Sequence, residues 1–467
     1  MIETKKREEK TYTATRNACK LCTPLGACVA FKGIRGCIPL IHGSQGCATY
    51  IRRYTISHFR EPVDIASSSF SEEAAVFGGN KLFATGIINI IDQYKPEVIA
   101  ISSTCLSETI GEDVPKMIKE FQTQYKNEKL PAFVNASTPS YQGTHMDGFH
   151  EAVTSMVRGF AESGIVSEKI NIFSGFISPE DIRHIKDILE DFDLPFILAP
   201  DYSDSLDNPN WKDYKRIPDG GTTIHELKQT GSSIASIEFG HIFNRGNLPG
   251  RVNNKGTVET AGEYLENKFG VKNHKTGLPI GIKATDKFFK ILEDLSSKET
   301  PQRHARERGR LIDAYVDGHK YVFGKRAVVY GEEDLVIGLV SFLVEIGVKP
   351  VLVISGGTSG RLEETIKEVV EDCPKDMEVW QEADFEDMHD KVKQLKPDFF
   401  LGNSKSYYIS RELGVPLVRA GFPVHDRIGA QRIQHVGYKG TQQLFDRIVN
   451  ALLEYKQEHS DVGYKYI

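Results

Sequence analysis

The sequence predicts an α/β protein built from three Rossmann-like domains, each with a mainly parallel sheet flanked by helices. Short apolar segments alternate along the chain with amphipathic stretches of helical periodicity, a pattern typical of parallel sheets covered on both faces. The 467 residues are too many for one core and match about three domains of ordinary size. We expect domains at residues 1–166, 167–300 and 301–467.

The first predicted domain contains four strand-like segments, and helical stretches follow them at Asn80 to Tyr94 and Gly111 to Tyr125. The strand-like segments are IPLIHGS, VDIASSS, PEVIAISST and PAFVNAS. Binding sites in open α/β sheets form beyond the carboxyl ends of strands. The segments HGSQGC, SSTCLSE and NASTPS all lie at such ends, so we expect them to converge on one crevice although they are far apart in the sequence.

The second predicted domain begins near Ser167 with the strand-like KINIFSG. A helix start at Ser178 and Pro179 comes next, followed by the strand-like LPFILAPD. From Thr276 to Arg310 the sequence is charged and shows no clear periodicity. We therefore expect the second domain to end in this stretch.

The third predicted domain begins with a long helix over residues 307–326 that leads into a buried strand, and it closes with a helix from Thr441 to about Glu454. The glycine-rich VISGGTSGR lacks the G-x-x-x-x-G-K-[ST] of a phosphate-binding loop, so no nucleotide site is assigned there. The strand-like segments of this domain are KRAVVYG, KPVLVISGG, PDFFLGNS and VPLVRAGFP.

Composition argues against two classes of partner. Charged residues make up 26% of the chain, hydrophobic residues make up 40%, and the formal net charge is -6, so we expect no binding to nucleic acid or to a membrane surface. The N-terminal MIETKKREEK is polar, and no segment approaches the ~20 apolar residues of a membrane span. We expect a cytoplasmic protein, in which clustered thiols serve as metal ligands or redox groups rather than disulfides.

The cysteines are unevenly distributed. Cys22, Cys47 and Cys105 each lie where a strand or turn gives way to a helix, among small or polar neighbours that leave room for a bulky inorganic group. A helix start supplies N–H groups and partial positive charge that stabilise a thiolate, and these are the needs of iron–sulfur ligation. Five of the seven cysteines fall within thirty residues: Cys19, Cys22, Cys28, Cys37 and Cys47.

The remaining cysteines leave other interpretations open. A zinc site at Cys19-x-x-Cys22 is the alternative, but structural zinc sites usually combine two close pairs, and no second pair follows. Cys28 and Cys37 are interpreted as buried small hydrophobes, whereas for Cys19 a ligand role and a packing role are equally supported. Cys373 lies alone in a charged helical stretch and is interpreted as unrelated.

Three cysteines are one short of the four thiolates that usually hold an iron–sulfur cluster. A ligand other than cysteine or a second polypeptide must therefore complete the site. Ser140 in NASTPSYQGTH is a candidate oxygen ligand because it follows a predicted strand and a turn-forming proline. An ordinary turn or capping serine is the alternative interpretation of the same spacing.

The motifs together resemble the β-type subunit of nitrogenase component 1 and its relatives, in order over residues 19–455. The resemblance implies three α/β domains and an α-type partner subunit in an α2β2 heterotetramer. It also implies an iron–sulfur cluster between the subunits, with β-side ligands at Cys22, Cys47 and Cys105 and an occasional serine ligand at Ser140. The motifs are CTPLGA, IPLIHGSQGC, HFREPVDIASSSFSEEAAVFGG, STCLSETIGEDV, NASTPSYQGTH, ERGRLIDA, DFFLGNS and VPLVRAGFPVHDR.

Within this family, the C-terminal part from Arg411 onward is more similar to the N subunit of the iron–molybdenum cofactor assembly scaffold, NifN, which lacks an insertion before V-P-L-[VI]-R. This resemblance implies a chain that is not a stand-alone enzyme and has a NifE-like partner. It implies a 4Fe–4S or P-cluster-like 8Fe–7S cluster shared with that partner. The complex would also hold a transient FeMo-cofactor precursor and interact with a precursor donor and the nitrogenase iron protein.

Two other functions remain open. Retention of all three cysteines and Ser140 favours a catalytic β-subunit of nitrogenase, or of a nitrogenase-like reductase, that carries a P-cluster for electron relay. A purely structural subunit with vestigial cysteines is the third hypothesis. Retention of every ligand position argues against it.

Overall fold

The computed structural model describes residues 19–210, 212–242 and 258–461, so the polar N-terminal segment of residues 1–10 lies outside the described part. It contains three separate sheets, and every strand pair in them is parallel. The predicted α/β class is confirmed. The sheets span residues 37–136, 170–276 and 326–419, so each lies inside one of the three predicted domains.

The first sheet has the strand order β2-β1-β3-β4. Its central strands β1 and β3 are buried along their whole length, because helices cover both faces. The elements of this region are α1 (Thr23–Lys32), β1 (Cys37–His42), α2 (Gln45–Phe59), β2 (Ala66–Ser67), α3 (Glu72–Phe77), α4 (Asn80–Tyr94), β3 (Val98–Ser103), α5 (Cys105–Thr109), α6 (Val114–Gln124), β4 (Ala132–Ala136) and α7 (His145–Phe160).

The second sheet has the order β6-β5-β7-β8. The predicted helix start is confirmed, since Ser178 accepts a hydrogen bond from the Asp181 N–H and Pro179 is the first helical residue. The elements are β5 (Ile170–Phe173), α8 (Pro179–Asp191), β6 (Phe196–Leu198), α9 (Ile224–Gln229), β7 (Ala235–Phe239), α10 (Ala261–Phe269), β8 (Lys272–Thr276) and α11 (Ile282–Ser296).

The third sheet has the order β11-β10-β9-β12-β13. A long helix precedes its first strand, as predicted, and a long helix closes the described chain. The elements are α12 (Gln302–Val322), β9 (Arg326–Gly331), α13 (Glu333–Glu345), β10 (Lys349–Ser355), α14 (Leu362–Val369), β11 (Glu378–Trp380), α15 (Phe385–Leu395), β12 (Phe399–Gly402), α16 (Tyr407–Leu413), β13 (Leu417–Arg419) and α17 (Gly437–Glu458).

The charged stretch from Thr276 to Arg310 is more ordered than its sequence indicates. It contains α11 and the beginning of α12 rather than an irregular segment. The buried residues of α11 follow helical spacing at Thr285, Phe288, Phe289 and Leu292. The lysines and acidic residues between them form the exposed face and hide this period in the sequence.

Helix α1 is the most enclosed helix of the first region, because all ten of its residues are buried. It crosses α7 at backbone contact distance: a Cβ atom on Gly26 would lie 1.6 Å from the carbonyl oxygen of His145. Only glycine permits this approach. The crossing fixes the beginning of α1, and therefore Cys22, against the beginning of α7. Within the described residues, no helix is both long enough and apolar enough to cross a membrane.

Candidate functional site

Three cysteines and one serine meet at the carboxyl edge of the first sheet. Cys47 lies in the first turn of α2, directly after β1, and Cys105 is the first residue of α5, directly after β3. Ser140 follows β4, and Cys22 is the N-cap of α1. Since β1, β3 and β4 are neighbours in a parallel sheet, the loops after them open at the same edge. The convergence of these segments that the sequence predicts is therefore present.

Hydrogen bonds join these segments through Ser140. Its backbone N–H donates to the Cys105 Sγ at 3.2 Å, and its Oγ accepts from the Thr23 N–H at 3.2 Å. Its hydroxyl is also a hydrogen-bond partner of the Cys22 thiol. The structure thus gives Ser140 a position between two of the predicted ligands.

The Cys22 thiol is held in a partly buried, electrostatically crowded position. Burial raises its pKa, hydrogen bonds from Ser140 and Tyr50 lower it, and the nearby charges of Cys105 and Cys47 raise it further. A cationic group among these thiols would offset the repulsion that raises the pKa of Cys22 and would favour its thiolate. This environment fits metal ligation, which takes the thiolate form.

The arrangement of the donors distinguishes between a single metal ion and a multi-iron cluster. Within the residues that the structure describes, no three cysteine, histidine, aspartate or glutamate side chains converge on a single metal ion. Cys105 is exposed, whereas Cys22 and Cys47 are half-buried, so the thiols line an opening rather than enclose a point. Soft thiolates around an open space, with an N–H aimed at one sulfur, suit a multi-iron cluster better than a lone zinc ion.

The other cysteines lie away from this opening. Cys28 and Cys37 are buried in the core, as expected, and burial raises the pKa of Cys37 to about 12. Cys19 is also buried, among side chains of the third sheet, and its N–H donates to the Ala383 carbonyl oxygen. Burial raises its pKa far above the ordinary value. Cys373 is half-buried after α14.

Two neighbours of the site were missed at the sequence level. Tyr50 lies one helical turn after Cys47 on α2 and bonds to Cys22, a position that helical spacing could have revealed. Lys405 belongs to the turn Ser404–Ser406 after β12 of the third sheet, and the negative charges of Cys19 and Cys22 act on its pKa. No sequence signal points to Lys405, because its proximity depends on how the third sheet packs against the first.

Apolar side chains are exposed next to the thiols. Leu106 and Tyr141 adjoin Cys105 and Ser140 in the chain and are 37% and 59% exposed. Helix α3, which follows β2 at the same edge of the sheet, ends in Phe77 with 84% of its surface exposed. Large apolar groups left in water at the rim of a polar opening are typical of a protein–protein contact.

Comparison with known proteins gives consistent matches over nearly the whole chain. The family model described as nitrogenase component 1 type oxidoreductase matches residues 22–453. The chain is 36% identical over 440 residues to the nitrogenase molybdenum-iron protein beta chain of Clostridium pasteurianum, covering 94% of this chain and 93% of that one. It is 34% identical over 453 residues to the nitrogenase vanadium-iron protein beta chain of Trichormus variabilis, covering 94% of each.

A solved structure supports the same relationship. A chain of "Nitrogenase Cp1 at pH 6.5" superposes with a TM-score of 0.91 at 35% sequence identity, and the match covers 99% of both chains. A chain of "Nitrogenase Cp1 at pH 5" superposes with a TM-score of 0.71 at 15% identity, covering 99% of this chain and 95% of that one. The second match is a likeness of fold alone.

Proposed function

Because the chain belongs to the nitrogenase component 1 family and matches its β chains along nearly the whole length, we propose that it is an electron-relay subunit with half of an iron–sulfur site. The convergence of Cys22, Cys47 and Cys105 on one open edge carries this proposal. Each thiol would bind iron, and the Ser140 hydroxyl would be an additional oxygen ligand. The bound cluster, P-cluster-like 8Fe–7S on this proposal, would supply storage and transfer of electrons.

The chain's own residues prepare this site for an anionic cluster. The Ser140 N–H donates to the Cys105 Sγ, and the Ser44 hydroxyl donates to the Cys47 Sγ at 3.5 Å. Hydrogen bonds to sulfur withdraw negative charge and are one of the means by which proteins set cluster potentials. The close crossing of α1 over α7 holds Cys22 in place, so cluster binding requires little movement of this ligand.

An α-type partner subunit would complete the site in an α2β2 heterotetramer. Three thiols and one hydroxyl face an opening instead of a closed cage, and Leu106, Tyr141 and Phe77 expose apolar surface beside it. A partner that brings further thiolates would cover both the cluster and these side chains. Electrons would arrive from the nitrogenase iron protein, which would also hydrolyse the nucleotide, since this chain has no phosphate-binding loop motif.

The comparisons favour electron relay over the scaffold function that the C-terminal sequence indicated. The relatives described above bear the names of molybdenum-iron and vanadium-iron beta chains. One observation keeps the NifN-like scaffold as a second candidate: only Gly414, Val415 and Pro416 connect α16 to β13, where the sequence lacks the insertion usual in catalytic subunits. In that role the chain and a NifE-like partner would hold a 4Fe–4S cluster between them. The complex would also receive a FeMo-cofactor precursor from a donor protein and hold it while it matures.

Anaerobic purification of the chain with its α-type partner tests the proposal. We expect iron and acid-labile sulfide in the complex, and a marked loss of both in each of C22A, C47A and C105A. C373A is the matched control, because Cys373 is half-buried but lies in the third region. Unchanged iron content in the three variants would refute the ligand assignment.

A second assay separates relay from scaffold. The complex is mixed with iron protein and ATP, and reduction of acetylene and dinitrogen is measured. Sustained reduction supports the relay subunit. An iron-loaded complex that reduces neither substrate, yet restores activity to an extract lacking the cofactor, would instead establish the scaffold.

A further inference from the structure

Lys405 is held at a fixed position on the third sheet. Its backbone N–H donates to the Asn403 Oδ1 at 3.0 Å, and the preceding Ser404 N–H donates to the Pro423 carbonyl oxygen at 3.0 Å. The Tyr330 hydroxyl, which is fully buried, donates to the Asn403 carbonyl oxygen at 2.5 Å. The turn that bears Lys405 is therefore anchored on both sides, and the direction of its side chain is constrained.

From this turn the Lys405 side chain extends to the segment that precedes α1. It lines a cavity together with Cys19, Leu21 and His145, directly behind the beginning of that helix. Its Nζ lies 5.9 Å from the centre of the Tyr54 ring, on the helix that also carries Cys47. The ammonium group thus lies between the segment that leads into Cys22 and the helix that carries Cys47.

The electrostatic environment of Lys405 agrees with this position. Burial lowers its pKa, and the negative charges of ionised Cys19 and Cys22 oppose the decrease. The same charge also acts on His145: burial lowers the pKa of His145 to about 3, and the positive charge of Lys405 contributes. An anionic cluster bound to Cys22 would favour the protonated ammonium in the same way as the thiolate does.

We propose that Lys405 is a positioning residue that sets the reduction potential of the cluster held by Cys22. This inference rests on the proposed function, because it requires the cluster. Reduction adds one electron and therefore one negative charge to the cluster, and a nearby desolvated ammonium stabilises the more negative state. The electron comes from the iron protein or from a chemical reductant such as dithionite. No proton moves, and no bond forms or breaks at Lys405.

Lys20, the other cation beside this cavity, does not have the same role. It is half-buried, and its charge acts on Asp147, whose pKa is raised mainly by burial and lowered in part by Lys20. The pKa of Lys405, by contrast, responds to the negative charges of Cys19 and Cys22, and its own charge lowers the pKa of Cys19. The proposal therefore makes a residue-specific prediction.

The test is a potentiometric titration of the complex with its α-type partner, followed by EPR, with iron content and unfolding temperature measured on the same samples. We expect K405Q to keep its iron and to show a lower midpoint potential. A tenfold change in the ratio of oxidised to reduced cluster corresponds to about 59 mV for a one-electron couple. K405R should keep the wild-type potential within a small fraction of that shift.

K325Q is the matched control. Lys325 precedes β9, at the amino-terminal ends of the strands of the same sheet, whereas Lys405 follows the carboxyl end of β12. Lys325 pairs with Asp398 at 2.8 Å. Its loss should leave the midpoint potential unchanged. Loss of iron in K405Q but not in K405R would also support the proposal, since the positive charge would then be what stabilises the cluster.

Three outcomes count against the proposal, and they are distinguishable. A K405Q complex with full iron and the wild-type potential would overturn the role of Lys405 and leave the proposed function standing. Loss of iron in both K405Q and K405R would show that packing, not charge, is what Lys405 supplies. A wild-type complex without iron would refute the proposed function, and the role of Lys405 with it.

Discussion

Gly148 of α7 packs directly on the backbone of Thr23, the residue after Cys22. A Cβ atom at Gly148 would lie 1.9 Å from the Thr23 carbonyl oxygen, a separation that no folded chain tolerates. The two helices can therefore keep this crossing only while the position has no side chain. The geometry of the first cysteine depends on a residue more than a hundred positions away in the sequence.

The first prediction follows from this contact. Gly148→Ala should destabilise the chain by about 1–3 kcal/mol, the usual cost of overpacking, and should lower the iron content by displacing Cys22. Thermal unfolding and iron analysis measure the two effects. Gly159→Ala on the same helix is the control, because its Cβ would meet Val134 at an ordinary 3.7 Å. That variant should be as stable as wild type or more so, since alanine favours the helix.

The second prediction concerns the Ser140 hydroxyl. Ser140→Ala keeps the backbone N–H that donates to the Cys105 Sγ but removes the acceptor of the Thr23 N–H. We expect a loss of about 1 kcal/mol in the free energy of unfolding and a changed EPR spectrum of the oxidised cluster. Ser57→Ala, at a half-buried serine of α2 whose hydroxyl donates to the Arg53 carbonyl oxygen of its own helix, should change neither. An unaltered spectrum in Ser140→Ala would exclude the hydroxyl as a ligand.

The third prediction is a pH dependence from Glu332. Burial, with a smaller contribution from the charge of Asp334, raises the pKa of this carboxyl from 4.5 to about 8. The folded state therefore binds more protons than the unfolded state between about pH 4.5 and 8. Stability should fall by roughly 1 kcal/mol per pH unit as pH rises through this window.

Glu332→Gln removes the titration and should flatten this slope. Its stabilising effect should be larger at pH 8 than at pH 5, as measured by denaturant unfolding at both pH values. Glu190→Gln, at an exposed position of α8, should leave the slope unchanged. Equal slopes in wild type and Glu332→Gln would show that the buried carboxyl is not the source.

The fourth prediction concerns a buried carboxylate that joins α8 to the beginning of α17. Asp181 accepts the backbone N–H groups of His435 and Val436 at 2.8 and 3.1 Å. Burial alone would raise its pKa, but these bonds and the His435 side chain lower it below the ordinary value. Ionised Asp181 should therefore stabilise the folded chain above about pH 4, and this contribution to the free energy of unfolding should be lost as the pH falls below that value.

Asp181→Ala should cost about 2–4 kcal/mol of unfolding free energy near neutral pH, because two buried N–H groups lose their acceptor. Asp187→Ala, at an exposed position of the same helix, should cost less than about 0.5 kcal/mol. Denaturant unfolding measures both variants. Similar losses in the two variants would contradict the importance of these hydrogen bonds.

The apolar strands could be predicted from the sequence, and so could the convergence of the cysteine-bearing segments at one edge of the first sheet. Cys47, Cys105 and Ser140 could be brought together because each follows a recognisable strand and the strands of a parallel sheet end at one edge. The sequence was not sufficient for β7, where the polar Ser236 and Glu238 interrupt the apolar run. Glu238 is nevertheless buried, because Thr260 and Asn273 donate hydrogen bonds to it.

The edge strands β8 and β11 lack a signal for another reason. They are short or polar, and pairing with a neighbour rather than intrinsic propensity makes them strands. Lys405 could not be found for a related reason. Its place beside Cys19 and Tyr54 is set by contacts of the third region with α2 and with the segment before α1, which no local pattern encodes.

The complete enclosure of α1 has a consequence for biogenesis. A helix without a solvent-facing residue cannot form on its own and then wait for the rest of the chain, so Cys22 reaches its final place only when the surrounding core has closed. The exposed Cys105, by contrast, remains accessible after folding. If the three thiols bind iron as proposed, Cys22 would become available to iron only in a chain that has already folded, and the exposed side at Cys105 would be where iron enters.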